Sequence, residues 1–140
     1  MGLDQAVSAA VAAGIGFRRA TAPDEIVALV RRALIEADLT PDDLAAIATA
    51  ADRAGEPALR DAAAAFALAP TALEAAALAA VDGRVVTRAA RIEAMRGVGS
   101  VAEAAALACA GPDARLLLPR IASAGATCAL AVPAGYGTTR

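Results

Sequence analysis

One segment of the sequence, residues 97–107 (GVGSVAEAAAL), joins a glycine-rich turn directly to a well-marked helix start. Ser100 stands at the N-cap position, and Glu103, three residues later, completes the pattern of a capping box. The first backbone N–H groups of a helix have no partner within it, and the helix dipole is positive at that end. Since both features favour anions, the segment predicts a carboxylate or phosphate site that includes Gly97, Gly99 and Ser100.

A second group of candidate residues lies in and after the first predicted strand, residues 11–17. Gly14 and Gly16 permit close approach of another backbone or of a ligand, and Arg18 and Arg19 follow at once. The third glycine of a dinucleotide-binding fingerprint is missing, because Arg19 stands in its place. These glycines therefore fit either a tight strand end or a ligand-facing turn.

Arg53 and Glu56 follow the second predicted strand, residues 45–49, at the end where open α/β sheets usually bind ligands. A structural alternative remains for both residues, namely a helix-terminating acid and a surface ion pair that contributes little. The predicted C-terminal hairpin adds three more polar candidates: Arg120, Ser123 and Thr127.

The composition narrows the chemistry available to the chain. All 13 basic residues are arginine, whose planar fork suits carboxylates and phosphates, and the formal net charge is −2. The absence of histidine excludes histidine-based acid–base catalysis and histidine metal ligation. Aromatic residues make up only 2% of the chain, which together with the net charge argues against nucleic acid and anionic membranes as partners. We expect no metal and no cofactor, and we expect Cys109 and Cys128 to be buried, reduced thiols.

No basic stretch precedes the mildly apolar residues 5–16, and no apolar run approaches the length of a membrane span. We therefore expect a cytoplasmic protein.

Strands and helices alternate along the chain. This order predicts an α/β fold, a three-layer α/β/α single domain whose sheet is mixed, mostly parallel, and ends in a C-terminal hairpin. Its predicted last-but-one strand, residues 114–119, is expected to be buried because of its run of leucines. The expected organisation is a lead-in over residues 1–10, the domain over 11–132 and a flexible tail over 133–140.

Several of these stretches together resemble the CobE family, which is also the family of the C-terminal domain of the CbiG proteins. The similar stretches are residues 14–19 (GIGFRR), Arg53 with 56–59 (EPAL), 97–107, 116–120 and 126–131. The resemblance implies a cytoplasmic protein of cobalamin (vitamin B12) biosynthesis with a three-layer α/β/α fold. The sequence departs from the family pattern at Gly55, where an acidic residue is usual, and at Arg53, where lysine is usual.

The residues and the resemblance together favour a protein that binds a carboxylate-rich precorrin or corrin intermediate. Arg18, Arg19, Arg53, Arg120 and the turn at 97–100 are the expected anion contacts, and other enzymes of the pathway are further candidate partners.

Two alternatives stay open, and with them the question of whether the chain is an enzyme. The first is a CbiG-type hydrolase that opens a precorrin lactone, with Glu56 or Glu103 as general base. The second is a small nucleotide- or phosphate-binding domain, although the chain has no P-loop lysine.

Overall fold

The computed structural model describes residues 10–90, 92, 94 and 97–136. Its strands are β1 (Val11–Phe17), β2 (Leu44–Ala50), β3 (Pro70–Leu73), β4 (Arg115–Ala122) and β5 (Ala126–Val132). The α-helices that lie wholly within the described residues are α1 (Pro23–Glu36), α2 (Pro57–Ala64), α3 (Ala75–Ala80) and α4 (Val101–Ala110). Apart from the few described residues of 1–10 and 133–140, the predicted lead-in and tail lie outside this part of the chain.

Local signals explain where the helices begin. Pro23 and Pro57 occupy the first turns of α1 and α2, where the missing N–H costs nothing and the fixed φ angle suits a helix. Asp24 and Glu25 add negative charge at the positive end of the α1 dipole. One face of α1 carries large apolar side chains at helical spacing, and these are buried: Ile26, Leu29, Val30 and Leu34.

The five strands form one sheet in the order β3-β2-β1-β5-β4. β1, β2 and β3 are mutually parallel, whereas β5 runs antiparallel to both β1 and β4. The predicted mixed sheet with a C-terminal hairpin is thereby confirmed. Phe17, at the end of β1, pairs with Ala126, at the start of β5. The hairpin turn therefore lies at the same edge as the carboxyl ends of the parallel strands.

Helices cover both faces of the sheet, as predicted. α1 and α2 pack against one face, where Ile15 and Leu130 are fully buried, and α4 packs across the other. Residues 102–107 of α4 are all buried. Apart from Glu103 this helix is apolar on all sides, which favours its enclosure, and its alanines allow it to lie very close to the sheet. The closest approach is at Gly14, where an added Cβ would come within 1.9 Å of the Ala102 carbonyl oxygen.

The prediction that the leucine-rich strand is buried was wrong. β4 forms an edge of the sheet, extends to Ala122, and its leucines are only half-buried. Pro119, which cannot donate to a strand ladder, is exposed within a register shift between Leu118 and Ile121. An edge position and a bulge are the usual places for a strand proline, and this signal outweighs the leucine run.

Cys128 is fully buried and Cys109 is half-buried, and neither forms a disulfide. Burial raises the pKa of the Cys128 thiol to about 12. We expect iodoacetamide at pH 8 to leave Cys128 unmodified in the folded protein and to label it in guanidinium, as read by peptide mass spectrometry. Rapid labelling of Cys128 without denaturant would contradict this placement.

Among the described residues, no helix combines the length and the hydropathy that a membrane span requires.

Candidate ligand-binding cleft

A cleft of about 480 Å³ opens at the carboxyl edge of the parallel strands, between the ends of β1 and β2, the start of α4 and the β4–β5 turn. Its lining includes apolar side chains such as Phe17, Ile92 and Val101. The polar side chains that line it are Arg18, Thr49, Arg53, Ser100, Arg120, Ser123 and Thr127. The described lining thus contains three arginines and no acidic side chain. The lining therefore combines apolar side chains with local positive charge.

Arg53 is one of the partly enclosed arginines of the lining. Its guanidinium carbon lies 4.4 Å from the centroid of the Phe17 ring, and the side chain is only 16% exposed. Nε and Nη2 of Arg53 are buried and have no hydrogen-bond partner. Stacking on an aromatic face is favourable for a guanidinium, but it leaves the in-plane donors available.

Glu56 lies beside Arg53 and is not part of the cleft lining. Its Oε2 accepts a hydrogen bond from Nη1 of Arg19 at 3.3 Å and lies 3.6 Å from Nε of Arg53. The Arg19 side chain is 82% exposed, so its ion pair with Glu56 contributes little to stability. The structure thus brings Arg53 and Glu56 together, as predicted, and places Arg19 at the outside of the pair.

The hairpin turn that forms one wall of the cleft is held by Glu25 in the first turn of α1. Oε2 of Glu25 accepts hydrogen bonds from the Ser123 hydroxyl at 2.5 Å and from the Gly125 amide at 2.6 Å. The Thr21 hydroxyl donates to the Gly125 carbonyl at 2.8 Å. The hydrogen bonds from Ser123 and Gly125 lower the pKa of Glu25. Ser123, predicted as a polar candidate at the hairpin, is therefore tied into the wall of the cleft.

The predicted capping box at the start of α4 is only half present. Oγ of Ser100 accepts a hydrogen bond from the Glu103 amide at 3.2 Å, which confirms Ser100 as the N-cap. The Glu103 carboxylate, however, does not return to Ser100. Oε1 accepts from the amides of Val86 and Thr87 at 2.7 and 2.9 Å, and Oε2 accepts from the Arg120 amide at 2.9 Å.

Glu103 therefore joins three segments of the chain, and its side chain is fully buried. Burial acts to raise the pKa of this carboxyl, but the hydrogen bonds from Arg120, Thr87 and Val86 outweigh burial and lower it. A carboxylate with both oxygens bound and a lowered pKa is poorly suited to act as a general base.

The glycine turn before α4 binds an anion, but the anion belongs to the chain itself. The Gly99 amide donates to Oδ1 of Asp82 at 2.8 Å, and Oδ2 of Asp82 accepts from Arg88 at 2.8 Å. The hydrogen bonds from Arg88 and Gly99 lower the pKa of Asp82. Gly97 adopts a φ of +77°, which explains the glycine at this position, and it does not line the cleft.

The two glycines of β1 differ in their surroundings. Gly16 lines the cleft, where its carbonyl accepts a 3.4 Å hydrogen bond from the Thr127 hydroxyl. Gly14 lies beneath α4 and outside the cleft lining, so its small size serves the packing of helix on strand.

Phe17 and Thr49 are lining residues that were absent from the candidates drawn from the sequence. Thr49 is buried and donates to the Ile15 carbonyl at 2.7 Å. The position of both residues at strand ends that face the cleft was the available signal, but neither residue type points to anion binding by itself. Within the described ranges, no group of three or more Cys, Asp or Glu residues is arranged to hold a metal ion.

The fold and the cleft define a class: a small, open, three-layer α/β/α domain with an arginine-lined cleft at the carboxyl edge of its parallel strands. Residues 11–131 match the family model described as Cobalamin synthesis G C-terminus. The chain belongs to this family, and it is a protein of the cobalamin biosynthetic pathway.

Individual relatives agree with this assignment. Protein CobE of a Sinorhizobium species is 42% identical over 121 residues, which cover 86% of this chain and 79% of the relative. The crystal structure of CobE, a protein from the cobalamin (vitamin B12) biosynthetic pathway, is 34% identical and matches with a TM-score of 0.82 over 88% of this chain and 89% of the other. Cobalamin biosynthesis protein chiG from Agrobacterium tumefaciens is 36% identical, with a TM-score of 0.70 over 89% and 98% of the two chains. The resemblance and the fold class expected from the sequence are confirmed.

Proposed function

We propose that the cleft binds a carboxylate-rich precorrin or corrin intermediate of cobalamin biosynthesis. The observation that carries this proposal is the lining itself, three arginines and no acidic side chain among its described residues, in a chain of net charge −2. Such a local excess of positive charge attracts anions although the protein as a whole is acidic.

The apolar part of the lining fits the same ligand class. Corrinoids carry acetate and propionate groups around a largely apolar macrocycle, and the cleft places Phe17, Ile92 and Val101 among its arginines. A charge-assisted contact contributes about 1.5–3 kcal/mol, whereas micromolar affinity requires about 8 kcal/mol. Arg18, Arg53 and Arg120 together with apolar contact would therefore give binding in the micromolar range.

The geometry favours binding over hydrolysis. Both oxygens of Glu103 are engaged by backbone amides, and Glu56 is paired with two arginines beside the cleft. Glu103 therefore has no oxygen free to activate a water molecule, and the ion pairs of Glu56 hold its Oε2 beside the cleft and not in its lining. The proposed role is to hold an intermediate in the cytoplasm, from which other enzymes of the pathway take it.

The test is an absorbance titration of the protein with hydrogenobyrinic acid, a corrinoid with free carboxylates. We expect saturable binding with a micromolar Kd that weakens as the salt concentration rises, because salt screens the arginines. The heptamethyl ester of the same corrinoid, which has the ring but no carboxylates, is the matched control ligand and should bind much more weakly. No binding of the free acid, or equal binding of the ester, would refute the proposal. Thermal-shift stabilisation by ATP or NADP in place of the corrinoid would instead support the phosphate-binding alternative.

A further inference from the structure

The orientation of Arg53 is fixed by the fold before any ligand arrives. Its guanidinium lies over the Phe17 ring at 4.4 Å, and the 3-10 turn Ala51–Arg53 continues directly from β2. A guanidinium held against a ring has lost much of its conformational freedom already, so a ligand that meets it costs less ordering.

The donors of Arg53 that lack partners form one edge of the guanidinium. Nε–H and the N–H of Nη2 that lies beside it point in the same direction, and this pair is the side-on fork that binds a carboxylate through two parallel hydrogen bonds. Both atoms are buried and have no hydrogen-bond partner. Buried donors are almost always paired in folded proteins, so two buried, unpaired donors on a residue that lines the cleft call for an acceptor.

Glu56 does not supply that acceptor. Its Oε2 lies 3.6 Å from Nε of Arg53, beyond hydrogen-bond distance, and accepts instead from Arg19 at 3.3 Å. Glu56 thus forms an ion pair with Arg53 and offsets part of its charge, but it accepts no hydrogen bond from the fork.

We infer that the Nε–Nη2 edge of Arg53 is the subsite for one planar carboxylate of the ligand, an acetate- or propionate-type group, bound through both oxygens with Phe17 supporting the guanidinium. This subsite rests on the proposed function and gives it a defined point of attachment. The other two arginines of the described lining, Arg18 and Arg120, then contact other anionic groups of the same ligand.

The first test compares variants in the hydrogenobyrinic acid titration. Arg53→Lys keeps the charge but loses the fork and the stacking, and we expect roughly tenfold weaker binding, the loss of one of the two charge-assisted bonds. Arg53→Gln also loses the charge, and we expect about a hundredfold loss. Arg60→Lys, on the exposed surface of α2, is the matched control and should bind like the wild type. Wild-type affinity in Arg53→Lys would overturn the subsite.

The second test does not depend on a corrinoid. The Nε–H signal of Arg53 in a ¹⁵N-resolved spectrum should move downfield as sodium propionate is added, with sodium chloride at equal ionic strength as reference, while the Arg60 signal stays in place. An unmoved Arg53 signal, or equal movement of both, would refute the fork. Failure of the wild type to bind hydrogenobyrinic acid while the Arg53 signal responds would refute the proposed function and leave the subsite standing.

Discussion

Replacing Glu103 by alanine should lower the free energy of unfolding by about 3–5 kcal/mol. The carboxylate is fully buried and accepts hydrogen bonds from the amides of Val86, Thr87 and Arg120. Alanine would leave these three donors without an acceptor and a cavity in their midst. Chemical denaturation followed by circular dichroism measures the change.

Two further variants separate the charge of Glu103 from its shape. Glu103→Gln fills the same volume but turns an amide N–H toward one of the three donors, so we expect a smaller loss, about 1–3 kcal/mol. Glu36→Gln, at the exposed end of α1, is the control and should change stability by less than about 0.5 kcal/mol. Equal stabilities for Glu103→Ala and Glu36→Gln would contradict the role assigned to this carboxylate.

The Glu103 side chain also makes the free energy of unfolding depend on pH, in a direction that can be stated. Because its pKa is lowered on folding from its ordinary value of 4.5, Glu103 stabilises the protein above that pH, and the contribution is lost as the pH falls through the folded-state pKa. The difference in stability between wild type and Glu103→Gln should therefore narrow below about pH 4.5. A difference that widens in acid would mean that the pKa is raised in the folded state.

Gly14→Ala is the second substitution with a large expected effect, a loss of about 3 kcal/mol in the free energy of unfolding, the upper end of what overpacking usually costs. The added methyl group would come within 1.9 Å of the Ala102 carbonyl oxygen and 2.5 Å of the Ala106 nitrogen. Both are backbone atoms of α4, so relief requires the whole helix to move away from β1. The loss should appear as a lower midpoint in denaturant.

Gly55→Ala is the matched control, because nothing lies within 4 Å of an added Cβ there. We expect a change within about 0.5 kcal/mol, or a slight gain, since alanine restricts the unfolded chain. If Gly14→Ala proves as stable as Gly55→Ala, the close packing of α4 on β1 is wrong.

Much of the fold could be predicted because its signals are local. Proline at a first helical turn, an N-cap serine before α4 and glycine after it mark element ends within a few residues. The order of strands and helices then restricts the topology to a layered α/β fold. The position of β4 could not be found in this way, because whether a leucine-rich strand is central or at an edge depends on which distant strand pairs with it.

In the candidate site, too, positions set by local signals could be predicted, whereas long-range contacts could not. Arg18, Arg53 and Arg120 follow or end strands, and a parallel sheet brings such positions to one edge. The partners of Glu103 and Gly99, in contrast, lie 16 or 17 residues away in sequence. A capping pattern identifies a helix start, but it does not identify long-range donors that compete for the same carboxylate. For the same reason the sequence pattern could not show that the Gly99 amide donates to Asp82.

The antiparallel pairing of β1 with β5 also determines how this domain can be tethered. Ala12 pairs with Ala131, so the start of β1 and the end of β5 lie side by side, at the end of these strands that is opposite the cleft. A surface anchor, an affinity tag or a fused enzyme that is joined at either position is therefore attached at the end of the strands away from the cleft. Immobilised biosensor measurements and translational fusions can therefore use either end of the domain while the arginine-lined cleft faces free solution.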